Sequence, residues 1–242
     1  MAPTTVDGLD IDDATIDGDV VDEITMDGDV VYQASAIPDS EDLHARYAAD
    51  ELSLSDGDPV GTWPDESGNG YNLTEGDAPT YRANVGGMPA VEFNDTSNWL
   101  DTQWATLSQP YDIYLVFEIT NGSLASSTQR IYDAAENGNR SSFGTSTDDE
   151  WFLQGENVVR GSTPDEQQYI ASTLWNDPNS VIRLNGVQDV SGDAGAGDLD
   201  GFMLNASSSD LSAHQGMYVR EVLVYETSVN ETSVEDYLER WQ

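Results

Sequence analysis

From residue 111 the chain reads Tyr-Asp-Ile-Tyr-Leu-Val-Phe-Glu-Ile-Thr, with Val116 and Phe117 side by side in a nearly continuous apolar stretch. A strand covered on both faces has this pattern, whereas a strand with one wet face alternates. Ser180 to Leu184 (SVIRL) and Met217 to Tyr225 (MYVREVLVY) are further strand-like runs, and clusters of Gly, Asn, Asp and Ser lie between them. Short β-branched and aromatic runs separated by turn residues predict an antiparallel sandwich or jelly roll. In the last run Leu223 and Tyr225 fall on one face and Val222 and Val224 on the other. Helical periodicity is rare. Thr232-Ser-Val-Glu235 matches a capping box, and Val234, Tyr237, Leu238 and Trp241 follow at i, i+3, i+4 and i+7. A short amphipathic C-terminal helix is expected there. A second short helix is expected over Asp39 to Ala49, with Leu43 and Tyr47 on one face.

Residues 1–34 follow another rule. Val6-Asp7-Gly8, Ile16-Asp17-Gly18 and Met26-Asp27-Gly28 repeat with a period of ten, and the last two both continue Asp-Val-Val. Asp-Gly between β-branched residues is the strongest short hairpin signal, because a type I′ turn needs positive φ at both central positions. Two or three hairpins are expected, with Thr15-Ile16 returning as Val20-Val21 and Ile24 to Met26 returning as Val30-Val31-Tyr32. An isolated hairpin is marginal in water. The segment therefore reads as a docking or assembly arm, with Val20, Val21, Val30, Val31 and Tyr32 as its contact residues. Ala36 to Ser40 reads as a linker, and residues 38–242 form the second domain.

Composition changes the setting rather than the fold. Of 242 residues, 46 are acidic and 8 basic, a formal charge of −38, and every basic residue is Arg. Such a surface repels itself in dilute buffer, but at about 1 M salt the Debye length is only ~3 Å. The chain reads as halophilic. Six Trp, eleven Tyr and five Phe argue against disorder. The charge excludes nucleic-acid binding, since little is left to neutralise phosphates. No apolar run approaches the ~20 residues of a membrane span. With no Cys there is no disulfide, thiolate nucleophile or Cys-ligated zinc.

Three segments carry a family resemblance. Trp63-Pro-Asp-Glu-Ser-Gly-Asn-Gly-Tyr71, Pro89-Ala-Val-Glu-Phe93 with Trp99-Leu100 after a polar turn, and Glu221-Val-Leu-Val-Tyr225 with Tyr237-Leu238 occur in that order. Together they resemble the concanavalin A-like lectin/glucanase, or laminin-G-like, jelly rolls over about residues 38–242. The resemblance implies an all-β antiparallel sandwich with Trp63 and Phe93 in its core and Ser67 to Gly70 as a tight turn. It implies no site, because this fold hosts lectins, glycosidases and structural modules.

The candidate chemistry is thin. Glycoside hydrolysis needs two carboxylates about 5–10 Å apart, and the Glu-x-Asp-x-Glu strand motif of the glucanase branch is absent. There is no Gly-x-Ser-x-Gly, and His44 and His214 read as structural. Asp65-x-Ser67-x-Asn69 matches the first half of a calcium loop, but Gly76 stands where a closing Glu belongs. Asp65, Ser67 and Asn69 are thus metal candidates, and Ca2+ the cofactor they would take. Sugar binding wants exposed aromatics beside polar groups. Trp99, Trp104 and Trp151, in or beside polar turns, are the candidates.

The resulting expectation is a non-enzymatic virion structural protein of a halophilic virus: a capsid turret, spike or decoration subunit, or a tail-fibre component. The start, Met1 to Gly8, has neither the charged nor the apolar region of a signal peptide. The protein would be made in the host cytoplasm and leave with the particle. It would form a homo-oligomer with other virion proteins through residues 1–34, and its lectin-like body would face host surface glycans. The alternatives are a haloarchaeal extracellular polysaccharide-binding module and, third, a glycoside hydrolase.

Overall fold

The computed structural model describes residues 36–120, 127–136, 140–165 and 167–242, and within residues 1–35 the backbone pairing of six short strands. All pairing between strands of the body is antiparallel. The first sheet runs Thr80–Val85, Met88–Phe93, Met217–Tyr225, Tyr111–Ile119, Gln168–Trp175, Ser180–Leu184, Val187–Gly192. Leu43–Ala48 joins it by pairing with the second half of Met217–Tyr225. The second sheet runs Val158–Arg160, Trp151–Gln154, Ser142–Thr145, Gln129–Asp133, Phe202–Leu204, Trp99–Thr102, Leu73–Asp77, Thr62–Trp63. The two sheets face each other as a jelly-roll-like β-sandwich.

Strand Tyr111–Ile119 shows why the apolar run is continuous. Tyr111, Ile113, Leu115, Phe117 and Ile119 point into the space between the sheets, where Trp63 and Phe93 also lie. Tyr114 and Val116 point the other way, under the C-terminal helix. Met217–Tyr225 divides as its sequence predicts, with Val222 and Val224 inside the sandwich and Leu223 and Tyr225 under the helix. Full burial of such side chains contributes roughly 1.5–3 kcal/mol each.

The helix Glu231–Leu238 lays Val234, Tyr237 and Leu238 on that outer face, and Trp241 follows in a final 3-10 turn. Its cap differs from expectation. Asn230, two residues before Thr232, accepts a hydrogen bond from the Ser233 N–H at 3.2 Å. Beneath the helix lies Glu221, fully buried. Its carboxylate accepts from Arg46 Nε (2.9 Å), Arg240 Nη2 (2.9 Å), Tyr237 OH (3.1 Å) and Trp241 Nε1 (2.6 Å). One acidic side chain thereby ties a strand, the helix and the C-terminal turn together.

The expected helix over Asp39 to Ala49 is instead a 3-10 turn, Ser40–Asp42, and the strand Leu43–Ala48. All six residues of that strand are buried. The register shifts between Val224 and Tyr225, whose partners are Ala45 and Leu43. This places Leu43 under the helix while Ala45 and Tyr47 face the sandwich. Leu43 and Tyr47 therefore face opposite sides of the sheet and share no helical face.

In residues 1–35, Thr4–Val6 pairs with Leu9–Ile11, Thr15–Ile16 with Asp19–Val20, and Glu23–Met26 with Asp29–Gln33. The expected partners Thr15 and Val20, and Ile24 and Tyr32, are opposite each other. Val21 lies outside the described residues, and only backbone pairing is described for Val20, Val30, Val31 and Tyr32. Among the described residues, no helix is long and apolar enough to cross a membrane.

Candidate functional site

The three tryptophans proposed as sugar platforms are not alike. Trp104 is buried (8 % exposed), donates Nε1–H to the Leu199 carbonyl at 3.2 Å, and sits edge-on to His44 and Tyr71. Trp151 is fully buried, stacked on Phe143 and edge-on to Phe117 and Tyr169. Neither can stack on a sugar face. Their polar sequence neighbours belong to the turns where these strands begin or end and say nothing about depth. Trp99 is half-buried, with its ring against the Gly76 backbone; a Cβ there would lie 1.6 Å from Trp99 Cζ2. Trp99 and Trp151 stand four strand spacings apart in the second sheet, about 19 Å. They form no common platform.

Asp65, Ser67 and Asn69 do come together, as a fastener of the chain. Asp65 Oδ1 accepts from the N–H groups of Arg46 (3.0 Å) and Ser67 (2.9 Å), and Oδ2 from Ser67 Oγ (2.9 Å) and the Tyr71 N–H (2.9 Å). Asn69 Nδ2 donates to the carbonyls of Leu43 (3.2 Å) and His44 (3.1 Å). Burial alone would push the Asp65 carboxyl up, but these donors hold it below its ordinary range. Gly68 and Gly70 take the positive φ values of 91° and 83° that the turn requires. The donors a calcium ion would displace are already supplied by the protein. Among the described residues, no group of three His, Asp or Glu is placed to hold a metal.

Both histidines serve the framework. His44 stacks on Tyr71 (ring centroids 4.8 Å apart), and burial lowers its pKa more than Glu226 and Asp65 raise it. His214 Nδ1 lies 2.6 Å from the Asn205 carbonyl oxygen.

The open chemistry lies elsewhere, at the far edge of the first sheet. Ser180–Leu184 and Val187–Gly192 are joined by Asn185-Gly186, both at positive φ (50° and 78°), as a type I′ connection requires. Two hydrogen bonds pin this turn to Ile170: its N–H donates to Asn185 Oδ1 (2.9 Å) and its carbonyl accepts from the Asn185 N–H (2.8 Å). Above the turn runs the helix. Its apolar set is Val234, Tyr237, Leu238 and Trp241; the neighbouring set Thr232, Glu235, Asp236 and Glu239 has the same spacing and faces a cleft of about 670 Å³. Ile170 is part of the apolar floor, and Gln167, Gln168 and Asn185 line the sheet side.

A second cleft of about 370 Å³ adjoins it, sharing Gln167 and Asn185. Trp151, Asp165, Tyr169, Gln188 and Asp189 are in its wall. Tyr169 OH donates to Asp165 Oδ1, and the Asp165 N–H donates back to Tyr169 OH at 2.9 Å. Burial first, and then the Asp165 carboxylate, raise the Tyr169 pKa, so its proton stays on the phenol. Asp189 Oδ2 accepts from the Ser162 N–H at 2.9 Å and leaves no room for a side chain at Gly161. The cation of the larger cleft is Arg183, bound to Glu235 (2.8 Å) and Glu231 (3.2 Å). Both clefts fall within the size range of small-molecule sites. They offer carboxylates, amides and hydroxyls over a small apolar floor.

Sequence reasoning missed this place because its residues come from four segments. Two local signals were available: Asn-Gly after SVIRL, and the second i, i+3, i+4, i+7 set on the helix.

No family model and no curated protein matches the sequence. Solved structures do match by fold. A sialidase of Trypanosoma rangeli superposes with a TM-score of 0.62 at 11 % identity, over 87 % of this chain and 34 % of that one. Domain 4 of AbnA, a GH43 extracellular arabinanase of Geobacillus stearothermophilus, solved in complex with arabinotriose, gives 0.57 at 19 %, over 81 % and 97 %. A structure concerning botulinum neurotoxin type C, whose cell entry depends on two ganglioside molecules, gives 0.62 at 11 %, over 84 % and 52 %. The chain spans about a third of the length of the sialidases it matches. The expectation that the protein is no enzyme is corrected here: its structural neighbours are sialidases and a domain of an arabinanase, so catalysis is not excluded. The virion setting gains no support from these matches. At these identities the likeness establishes the fold alone, and the body of this chain is a jelly-roll-like β-sandwich.

Proposed function

We propose that residues 38–242 form a glycan-binding module whose site is the pair of joined clefts between the Asn185-Gly186 turn and the C-terminal helix. The observation that carries this is the larger cleft itself: about 670 Å³, floored by Ile170 and walled by amides and carboxylates. Sugars present hydroxyl groups around apolar faces, and such a wall satisfies both. The fold adds support, since its neighbours include an arabinanase domain in complex with arabinotriose, a sialidase in complex with sialic acid and a neurotoxin whose cell entry depends on gangliosides. Gln167 faces both clefts and is exposed. Its replacement by Ala should weaken sugar binding about tenfold, near the 1.4 kcal/mol of one good hydrogen bond. Calorimetric titration of both proteins with a glycan panel tests this. Unchanged affinity in Gln167→Ala would move the site elsewhere.

For residues 1–34 we propose the role of a docking arm that gathers the module into a homo-oligomer, on the surface of a virion in a salt-rich habitat. The three hairpins repeating every ten residues and the charge of −38 support this part. Sedimentation of the full chain and of residues 36–242 in molar NaCl tests it. The full chain should assemble and the truncated chain remain a monomer. Two monomers would favour an independent extracellular polysaccharide-binding module.

A further inference from the structure

Six of the 14 asparagines stand two residues before a Ser or Thr: Asn72, Asn94, Asn121, Asn139, Asn205 and Asn230. With 41 Ser and Thr in 242 residues, chance would place about two there. Asn-x-Ser/Thr without a central Pro is the acceptor sequence for an N-linked glycan, a bulky group that only a surface position can carry. Asn121 and Asn139 lie outside the described residues. The other four differ in what their side chains already do.

A glycan replaces one hydrogen of Nδ2, so an acceptor needs an exposed Nδ2 that the fold does not use. Asn72, Asn94 and Asn230 are exposed. Asn72 Oδ1 accepts from the Asp65 N–H at 2.9 Å, and Asn230 Oδ1 from the Ser233 N–H at 3.2 Å. Asn94 Oδ1 accepts from the N–H groups of Thr96 (2.9 Å) and Ser97 (2.8 Å) and from Thr96 Oγ1 (3.0 Å). In all three the amide is held by its oxygen, and among the described residues its nitrogen donates to no protein group. Asn72 leads into the strand Leu73–Asp77, Asn94 follows the strand Met88–Phe93, and Asn230 caps the helix. Thr74, Thr96 and Thr232, which supply the hydroxyl of each acceptor sequence, are exposed too. Asn205 is the reverse case. It is fully buried, and its Nδ2 donates to the carbonyls of Asn94 (3.0 Å) and Asn98 (2.8 Å). Outside the acceptor pattern, Asn69, Asn98 and Asn157 also use Nδ2 within the fold.

We infer that the folded chain accepts N-linked glycans at Asn72, Asn94 and Asn230 and not at Asn205. This is independent of the glycan-binding reading, because it concerns sugar the chain carries and not sugar the clefts hold. The co-reactant is a polyprenyl-phosphate-linked oligosaccharide, presented by a membrane-bound transferase. The bond between the sugar C1 and the phosphate oxygen breaks, the lipid phosphate leaves, and C1 joins Nδ2, whose proton passes to a base of the transferase. Each Oδ1 keeps its hydrogen bonds, so the turns and the helix cap survive. At Asn205 the same step would remove a buried donor and force an oligosaccharide into the core.

The test is to produce the full chain, behind a cleavable export signal, in a salt-requiring archaeal host whose envelope protein carries N-glycans. Intact mass and glycopeptide mapping give the occupied positions. Asn72, Asn94 and Asn230 should carry the host glycan, and Asn205 none. Thr74→Val, Thr96→Val and Thr232→Val should each remove one glycan mass. Ser at the same three positions should keep it, since the hydroxyl remains. Bare Asn72, Asn94 and Asn230, from cells whose envelope protein is modified, would overturn the inference. A glycan on Asn205 would also overturn it, because burial would then not select the site. So would Val variants that keep the full mass. None of these results bears on sugar binding at the clefts.

Discussion

Asp112 is 4 % exposed, on the strand at the centre of the first sheet. Its Oδ2 accepts from the Val229 N–H at 3.0 Å, just ahead of the C-terminal helix, and its Oδ1 has no partner among the described residues. Burial pushes its pKa from 3.8 up to about 7; Glu231 adds to the rise, while the Val229 N–H and Ser228 oppose it. A carboxyl whose folded pKa is raised binds more protons folded than unfolded. Its contribution is therefore complete below about pH 4 and is lost as pH climbs through about 7. With those two pKa values, about 2–3 kcal/mol disappears between pH 5 and pH 8. Asp112→Asn removes the titration and leaves an acceptor for Val229. Urea unfolding in constant molar NaCl should give a variant whose advantage over the native chain grows by about 2–3 kcal/mol from pH 5 to pH 8. Parallel stability profiles for the two proteins would refute the reasoning.

Glu221→Gln should cost about 3–5 kcal/mol, because Arg46 then keeps a buried charge without its main carboxylate and the exposed Arg240 is left with Asp50 alone; denaturant midpoints measure it, and a loss under ~1 kcal/mol would show that the helix is held by apolar contact alone. Asp65→Ala should cost about 2–3 kcal/mol by stranding the donors of Arg46, Ser67 and Tyr71, and the cost should be the same with and without EDTA; a chelator effect restricted to the native chain would restore the calcium reading. At a charge of −38, lowering NaCl from ~1 M to ~0.01 M lengthens the Debye length from ~3 to ~30 Å; near-UV circular dichroism should collapse, and an unchanged spectrum would remove the halophilic reading.

The fold was legible where the pattern of residues is also the pattern of burial. Tyr111–Ile119 announces two covered faces because it lies between a sandwich core and a helix. Val234, Tyr237, Leu238 and Trp241 announce one covered face because the rest of the helix meets solvent or a cleft. Errors arose where tertiary geometry broke the period. Leu43 and Tyr47 stand four residues apart, as on a helical face, but the shift opposite Tyr225 sends them to opposite sides of a strand. Asn230 caps the helix although Thr232 begins the better motif. The polar neighbours of Trp104 and Trp151 suggest surface residues, but a core residue can stand right beside a polar turn. The clefts were invisible for a different reason. Gln167, Asn185 and Glu239 meet only because the strand order brings a hairpin turn under the helix, and no local pattern records that order.

Backbone amide shift mapping with the tightest-binding sugar of the panel tests the central claim most directly. Saturable changes should cluster at Ser162, Thr163, Gln167 to Ile170, Asn185 to Asp189, and Thr232 to Glu239. Changes clustered instead around Trp99 or on the outer face of the second sheet would contradict it.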